Sequence, residues 1–260
     1  MKLLGEKIMG LTHSASTKQG LKDLFNVEKL KEEDYVIALA GNPNTGKSTV
    51  FNSLTGLHQH TGNWPGKTVV NSQGKYAHKD KDFIIVDLPG TYSLLASSVE
   101  EVVARDFICF GKPDVTVVVL DATCIERNLN LLLQVLEITD NVVACVNLMD
   151  EAKSKNIKID IEGLSKELGI PVVPTTARSN VGMNNLKDTI YDLCHNKIET
   201  CPVQILYPRE ITEQLQILTP MLSSIFMDKI NAKWLALRLL DGDDSLINSI
   251  SKFLGYDLKT

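Results

Sequence analysis

Residues 41–48 read Gly-Asn-Pro-Asn-Thr-Gly-Lys-Ser, a G-x-x-x-x-G-K-[ST] pattern whose residue types suit phosphate binding. Gly41 and Gly46 let the backbone turn its N–H groups inward, where a Cβ would otherwise stand. The backbone across Asn42, Pro43, Asn44, Thr45 and onward to Thr49, whose N–H groups (Pro43 has none) turn inward with a following helix N-terminus, makes a nest of partial positive charge. Lys47 adds a full charge for the β- and γ-phosphates, and the Ser48 hydroxyl is a ligand for Mg²⁺. The flanks decide whether the match means anything. Tyr35–Ala40 is an apolar run with strand character, and 49–57 carries Val50 and Leu54 on one helical face before Gly56. Strand, glycine loop and helix are the context the chemistry requires; an ordinary glycine turn is the alternative.

Two further stretches fit a site that senses a terminal phosphate. Residues 58–68, His-Gln-His-Thr-Gly-Asn-Trp-Pro-Gly-Lys-Thr, hold glycines, a proline and an asparagine, and are expected to form a long loop without regular structure. Thr68 is its candidate for closing on Mg²⁺, and Trp64 is expected to be an exposed aromatic with a docking or shielding role. His58 and His60 are loop residues or, as a weak pair, metal ligands. Farther on, an apolar strand over 81–86 ends in Asp87-Leu-Pro-Gly90. Asp87 can hold Mg²⁺ through water, and the Gly90 N–H can reach the γ-phosphate. Glu100 and Glu101 follow on a helix with Arg105 and Asp106, either positioning a water or lying on a solvated face.

Asn147 and Asp150 follow a third apolar strand. A carboxylate in the plane of guanine accepts from N1–H and the exocyclic amine, whereas adenine leaves it unpaired. Asn147 would tie the loop to its neighbours. Both are also ordinary helix-capping types; the upstream motifs favour base recognition. Residues 175–178, Thr-Thr-Ala-Arg, form a loop that can lay the N–H groups of Thr176, Ala177 and Arg178 against the base.

Strands over 34–40, 68–78 (mixed in polarity, read as an edge), 81–86, 114–120, 141–146 and 170–175 alternate with helical stripes such as Leu129, Leu132, Leu133 and Leu136. That alternation predicts an α/β fold, a mostly parallel sheet with helices on both faces. All the motifs lie at carboxyl ends of strands, where such sheets bind ligands. From about residue 200 the pattern becomes purely helical. Ile211, Leu215, Leu218, Leu222 and Ile225 form one stripe that Pro220 is expected to kink or break. Asn231 caps the next, which stops near Gly242, and Leu246, Ile250 and Leu254 mark a third. The expected division is an extension over 1–33 of unknown role with a short helix over 21–30, a nucleotide-binding domain over 34–198, and a small helical domain over 199–260 that stops short of a complete fold.

The chain has 260 residues, 43% hydrophobic and 23% charged, with net charge −5. This supports a sizeable core and argues against broad nucleic-acid binding. The five cysteines show no C-x-x-C. Cys109, Cys124 and Cys145 read as reduced core residues, and Cys194, His195 and Cys201 match no standard zinc spacing. No signal peptide and no apolar run of about 18 residues is seen, so the segment is expected to be soluble.

Taken together, 41–48, Thr61-Gly-Asn-Trp-Pro-Gly-Lys-Thr68, Asp87-Leu-Pro-Gly-Thr-Tyr-Ser93, Glu100-Glu101 and Asn147-Leu-Met-Asp150 resemble a Ras-like P-loop GTPase. They are more similar still to the cytoplasmic G domain of the ferrous iron transport protein B family, with 199–260 as its helical spacer. The resemblance implies GTP and GDP as ligands, Mg²⁺ held by Ser48, Thr68 and Asp87, and hydrolysis in which Lys47, Asn44, Thr68 and Gly90 take part. It implies K⁺ beside the phosphates at Asn44, doing the work of an arginine finger. It also implies a partner, the membrane channel of the same protein, at the cytoplasmic face of a bacterial membrane, and a possible homo-oligomer. Lys67 departs from the apolar residue usual there. Thr91 stands where Ras-like enzymes carry a water-orienting glutamine, so hydrolysis is expected to be slow. Two rivals remain: an RNA- or ribosome-associated GTPase, which calls for a basic appended domain that 200–260 does not show, and a guanine-nucleotide sensor that does not hydrolyse.

Overall fold

The structure is a computed structural model that describes residues 25–27, 29, 31, 33–56, 59–226 and 230–254. The expected helix over 21–30 lies mostly outside these, as does His58. A seven-stranded sheet organises the chain, in the order β2-β3-β4-β1-β5-β6-β7. Its strands are β1 (Tyr35–Gly41), β2 (Gln59–Asn63), β3 (Val70–His78), β4 (Lys81–Asp87), β5 (Val115–Asp121), β6 (Val142–Asn147) and β7 (Val172–Pro174). β4, β1, β5, β6 and β7 run parallel, while β3 pairs antiparallel with both β2 and β4. The mostly parallel sheet is thus as expected, with two corrections at its edge. Gln59–Asn63 is a strand despite its loop-like composition, because β3 offers it a full antiparallel register from Gln59↔Gly74 to Asn63↔Val70. β3 is consequently the second strand and not the edge.

Alternation along β1 feeds two cores. Val36, Ala38 and Ala40 face one side of the sheet, Ile37 and Leu39 the other. The first side is covered by α2 (Val99–Asp106), α3 (Ile125–Ile138) and α5 (Ile161–Leu168), the second by α1 (Lys47–Thr55) and α6 (Met183–Cys194). A parallel sheet buried on both faces needs near-continuous apolar strands, and β5 and β6 supply them as Val-Thr-Val-Val-Val-Leu-Asp and Val-Val-Ala-Cys-Val-Asn. α4 (Met149–Ser154) is a short helix after β6. π-turns over Phe107–Gly111 prolong α2 and bury Phe107, Ile108, Cys109 and Phe110.

The helical part comprises α7 (Arg209–Phe226), α8 (Ala232–Leu240) and α9 (Asp244–Leu254). The Asn231 side chain accepts from the Trp234 N–H at 3.0 Å, the expected cap. α7 runs unbroken across Pro220. Pro220 and Gln216, whose carbonyl loses its partner, are both exposed, so water replaces the missing bond. Leu215, Ala236 and Leu237 make a small core between α7 and α8. Trp234, Leu235, Leu246 and Ile250 instead join the core on the α2 side of the sheet. Among the described residues no helix is long and apolar enough to cross a membrane.

Candidate functional site

β1 lies between β4 and β5, so the chain leaves its carboxyl end towards one half of the sheet and later returns to the other. This switch point is where an α/β sheet opens a crevice. Gly41 ends β1 there, and the loop to α1 fills the crevice mouth. A Cβ on Gly41 would come within 2.8 Å of the Val119 carbonyl oxygen, which accounts for glycine at this approach. Gly46 has φ 80° and caps α1, and a Cβ there would collide with the Asn147 amide. Asn44 also holds a left-handed backbone, φ 68°, and is exposed with Pro43, Ser48 and Thr49. Thr45 is buried and its hydroxyl donates to the Asn42 carbonyl at 3.0 Å. The loop therefore presents Pro43, Asn44, Ser48 and Thr49 outwards while Thr45 anchors it from beneath.

Lys47 forms an ion pair with Asp87 at the end of β4. Burial pushes the Asp87 carboxyl above its usual range, and the Lys47 ammonium opposes that rise. Leu88 N–H donates to the Leu39 carbonyl at 2.9 Å and Thr91 N–H to the Gly41 carbonyl at 3.3 Å. These bonds lay 88–91 along the phosphate loop, with Gly90 against Pro43. Sequence reasoning places Asn42 in the phosphate loop with no role for its side chain; it is 2% exposed, and neither atom of its amide finds a partner among the described residues. An unmet buried amide costs about 1–3 kcal/mol, so this one marks a place built for another occupant or arrangement.

Asn147 joins the two halves of the site. Its Nδ2 donates to the Thr45 carbonyl at 3.1 Å; its Oδ1 accepts from the Ala177 N–H at 3.0 Å and the Thr175 hydroxyl at 3.2 Å. Thr176 and Ala177 are buried beside it, while Asp150, in the first turn of α4, and Arg178 are exposed. The capping alternative fails for Asn147. It lies inside β6, two residues before α4, and the residue that caps that helix is Leu148.

Thr68 is exposed on the loop that follows Trp64, and among the described residues no hydrogen bond links it to the Lys47–Asp87 pair. His60 lies in β2. Trp64 corrects the expectation of an exposed aromatic: it is 3% exposed, edge-on to Phe25 and Phe107 at ring separations of 6.4 and 5.4 Å. Glu101 braces the second loop, its carboxylate accepting from Ser93 Oγ at 2.9 Å and Ser97 N–H at 2.8 Å. Glu101 is half-buried in this role, while Glu100 is exposed on the same helix, as a solvated face would have it. Cys124 is exposed rather than core, next to Asp121, whereas Cys109 and Cys145 are buried.

Arg105 escaped the sequence reading. It is fully buried, bonded to Asp106 of its own helix and to Asp243, Ser245 and Ser249 at 2.8–3.1 Å. Burial raises the Asp106 carboxyl, with Arg105 opposing. The helix that follows the second loop is thereby keyed into the helical part.

A family model described as ferrous iron transport protein B matches residues 35–190, and one described as the FeoB cytosolic helical domain matches 207–259. The Fe(2+) transporter FeoB of Escherichia coli (strain K12) is 38% identical over 212 residues, 80% of this chain and 27% of that protein. A fusion protein of Porphyromonas gingivalis, Fe(2+) transport protein A with the transporter FeoB, is 38% identical over 228 residues, 86% of this chain and 26% of the relative. The chain thus spans about a quarter of the length of these relatives. The cytosolic domain of the T. maritima FeoB iron transporter in apo form superposes with a TM-score of 0.76 at 36% identity, covering 85% of this chain and 86% of that one. Its GDP form I gives 0.75 at 36%, covering 84% of each. The sheet is that of a P-loop GTPase followed by a helical domain, and the chain belongs to the ferrous iron transport protein B family.

Proposed function

We propose that this chain binds GTP and GDP with Mg²⁺, hydrolyses GTP slowly and faster in K⁺, and acts as the cytoplasmic switch for Fe²⁺ passage through the membrane part of a longer protein. The observation that carries the reading is the Asn147 amide, which fixes the phosphate loop at Thr45 and the Thr175–Ala177 loop as one block. Phosphate recognition and base recognition are then parts of a single site. The names of the relatives supply the link to iron.

In this reading the N–H groups from Asn42 to Thr49 and the Lys47 ammonium receive the phosphates. Asp150 selects guanine over adenine, and Thr176, Ala177 and Arg178 line the base. The donors available to a metal are the Ser48 and Thr68 hydroxyls and the Asp87 carboxylate, hard oxygens that fit Mg²⁺ and not a thiolate-seeking ion. The exposed Asn44 brings an amide oxygen suited to K⁺, which supplies positive charge beside the phosphates when bound. Gly90 brings its N–H against the loop, and Asp87 holds Lys47 in place until phosphate competes for it. With Glu101 committed to Ser93 and Ser97, water is left to backbone groups for positioning, which supports a slow intrinsic rate.

The test is phosphate release from GTP and from ATP, each in Na⁺ and in K⁺, for the chain and for Lys47→Ala. Release from GTP alone, faster in K⁺ and absent in Lys47→Ala, is the expected result. Tight GTP binding with no release over hours in K⁺ would leave a nucleotide sensor without hydrolysis. Unchanged nucleotide affinity in Lys47→Ala would remove the phosphate-loop assignment.

A further inference from the structure

Residues 25–27 lie outside the 35–190 that the family model matches, yet they are built into the core. Val27 is fully buried and Phe25 is 9% exposed. The Phe25 ring meets Trp64 edge-on at 6.4 Å and Phe107 edge-on at 5.3 Å. One ring therefore touches both the loop that carries Thr68 and the helix extension that follows the second loop. The backbone is held as well: the Phe25 carbonyl accepts from Asn71 Nδ2 at 3.1 Å and the Asn26 carbonyl from Gln73 Nε2 at 2.6 Å, both from β3.

Trp64 is seated incompletely. Its indole N–H is buried and finds no acceptor among the described residues. A small cavity adjoins it, lined by Phe25, Val103, Phe110 and Phe253 and by the polar Lys67 and Asp106. The Trp64 backbone N–H donates to the Val69 carbonyl and the Lys67 backbone N–H to the Trp64 carbonyl, both at 3.0 Å. Trp64 and Thr68 consequently belong to one tight turn and move together.

We propose that Phe25, held on β3 by Asn71, is a positioning residue that clamps Trp64 in its buried seat. Movement of Thr68 towards a bound triphosphate then works against residues 25–27. The clamp disfavours the triphosphate-bound arrangement and leaves the diphosphate-bound one untouched, which rests on the reading of Thr68 given above. Phe25 holds Trp64 through one edge-on aromatic contact, and its loss is worth roughly a two- to tenfold shift in the balance between the two arrangements.

The experiment uses the full chain carrying Trp234→Phe, which leaves Trp64 as its one indole. Acrylamide quenching of Trp64 is measured without nucleotide, and affinities for a non-hydrolysable GTP analogue and for GDP are measured beside it. Phe25→Ala is expected to raise the quenching constant and to tighten the analogue relative to GDP by about two- to tenfold. Asn71→Ala moves both readings in the same direction and less far, and Phe25→Tyr restores them. If Phe25→Ala does not fold, Asn71→Ala decides. Quenching and affinity ratio both at wild-type values in the foldable variants would overturn the clamp. Raised quenching with an unchanged ratio would overturn its coupling to Thr68. A chain that binds neither nucleotide would sink the functional reading alone, since quenching without nucleotide still reports the clamp.

Discussion

Replacing Arg105 by Met should cost this protein a large part of its stability. The side chain is fully buried, and its partners Asp106 and Asp243 are only 19% and 10% exposed. Arg105→Met keeps the volume and removes the charge, which leaves two nearly buried carboxylates without their guanidinium partner, with only the Lys67 charge still acting on Asp106. Breaking one buried ion pair in this way costs about 3–5 kcal/mol. The Ser245 hydroxyl to Asp243 and the Ser249 hydroxyl to Asp106 remain as partial compensation, so the lower half of that range applies. For a chain of this size the loss corresponds to a fall in Tm of roughly 10 °C. Guanidinium unfolding followed by tryptophan emission measures it, because Trp234 is buried in α8 and reports the helical part. Arg105→Met with Asp106→Asn and Asp243→Asn tests the reason: with the charges gone, most of the loss should return. A single variant that loses under about 1 kcal/mol, or a triple variant as unstable as the single, would refute the argument that unpaired carboxylates are the cause.

Asp150→Asn should move preference from guanosine towards xanthosine nucleotides, by about tenfold or more in relative affinity, measured by competition against a fluorescent analogue. Retained preference for GTP would assign base reading to another group. Asn44→Ala should erase the stimulation of hydrolysis by K⁺ while sparing GDP affinity, and a surviving K⁺ response removes it as the ion's holder. Asp87→Asn should gain stability relative to the parent as pH rises. The folded Asp87 has a raised pKa, so the native state holds its proton more tightly than the unfolded chain, and stability is lost as pH climbs from the ordinary carboxylate value through the raised one. Melting curves from pH 4 to 7.5 should show the variant's relative Tm increasing with pH; a relative decrease contradicts burial as the dominant influence.

The phosphate loop and the Asp87–Gly90 run were legible as local patterns at the ends of apolar strands, whereas Asn147, whose partners Thr45 and Ala177 are distant in sequence, was read only through the motifs before it. Trp64 was misread because its burial depends on Phe25 and Phe107, which come from different segments. Gln59–Asn63 was misread because composition speaks against a strand and only pairing with β3 creates one. Arg105 looked like any charge on a helix, since the groups that claim it lie 138–144 residues away. Pro220 does not break α7: it lies on an exposed face, where a lost helical bond is cheap.

The Asn147 amide has a consequence for how affinity is assembled. Because one buried group spans both subsites, ordering the chain around either end of a ligand leaves less to be ordered around the other. Guanosine and pyrophosphate, offered as separate molecules, should each improve the other's occupancy. Asn147→Ala should abolish that mutual help, read as each fragment's affinity with and without a saturating amount of the other.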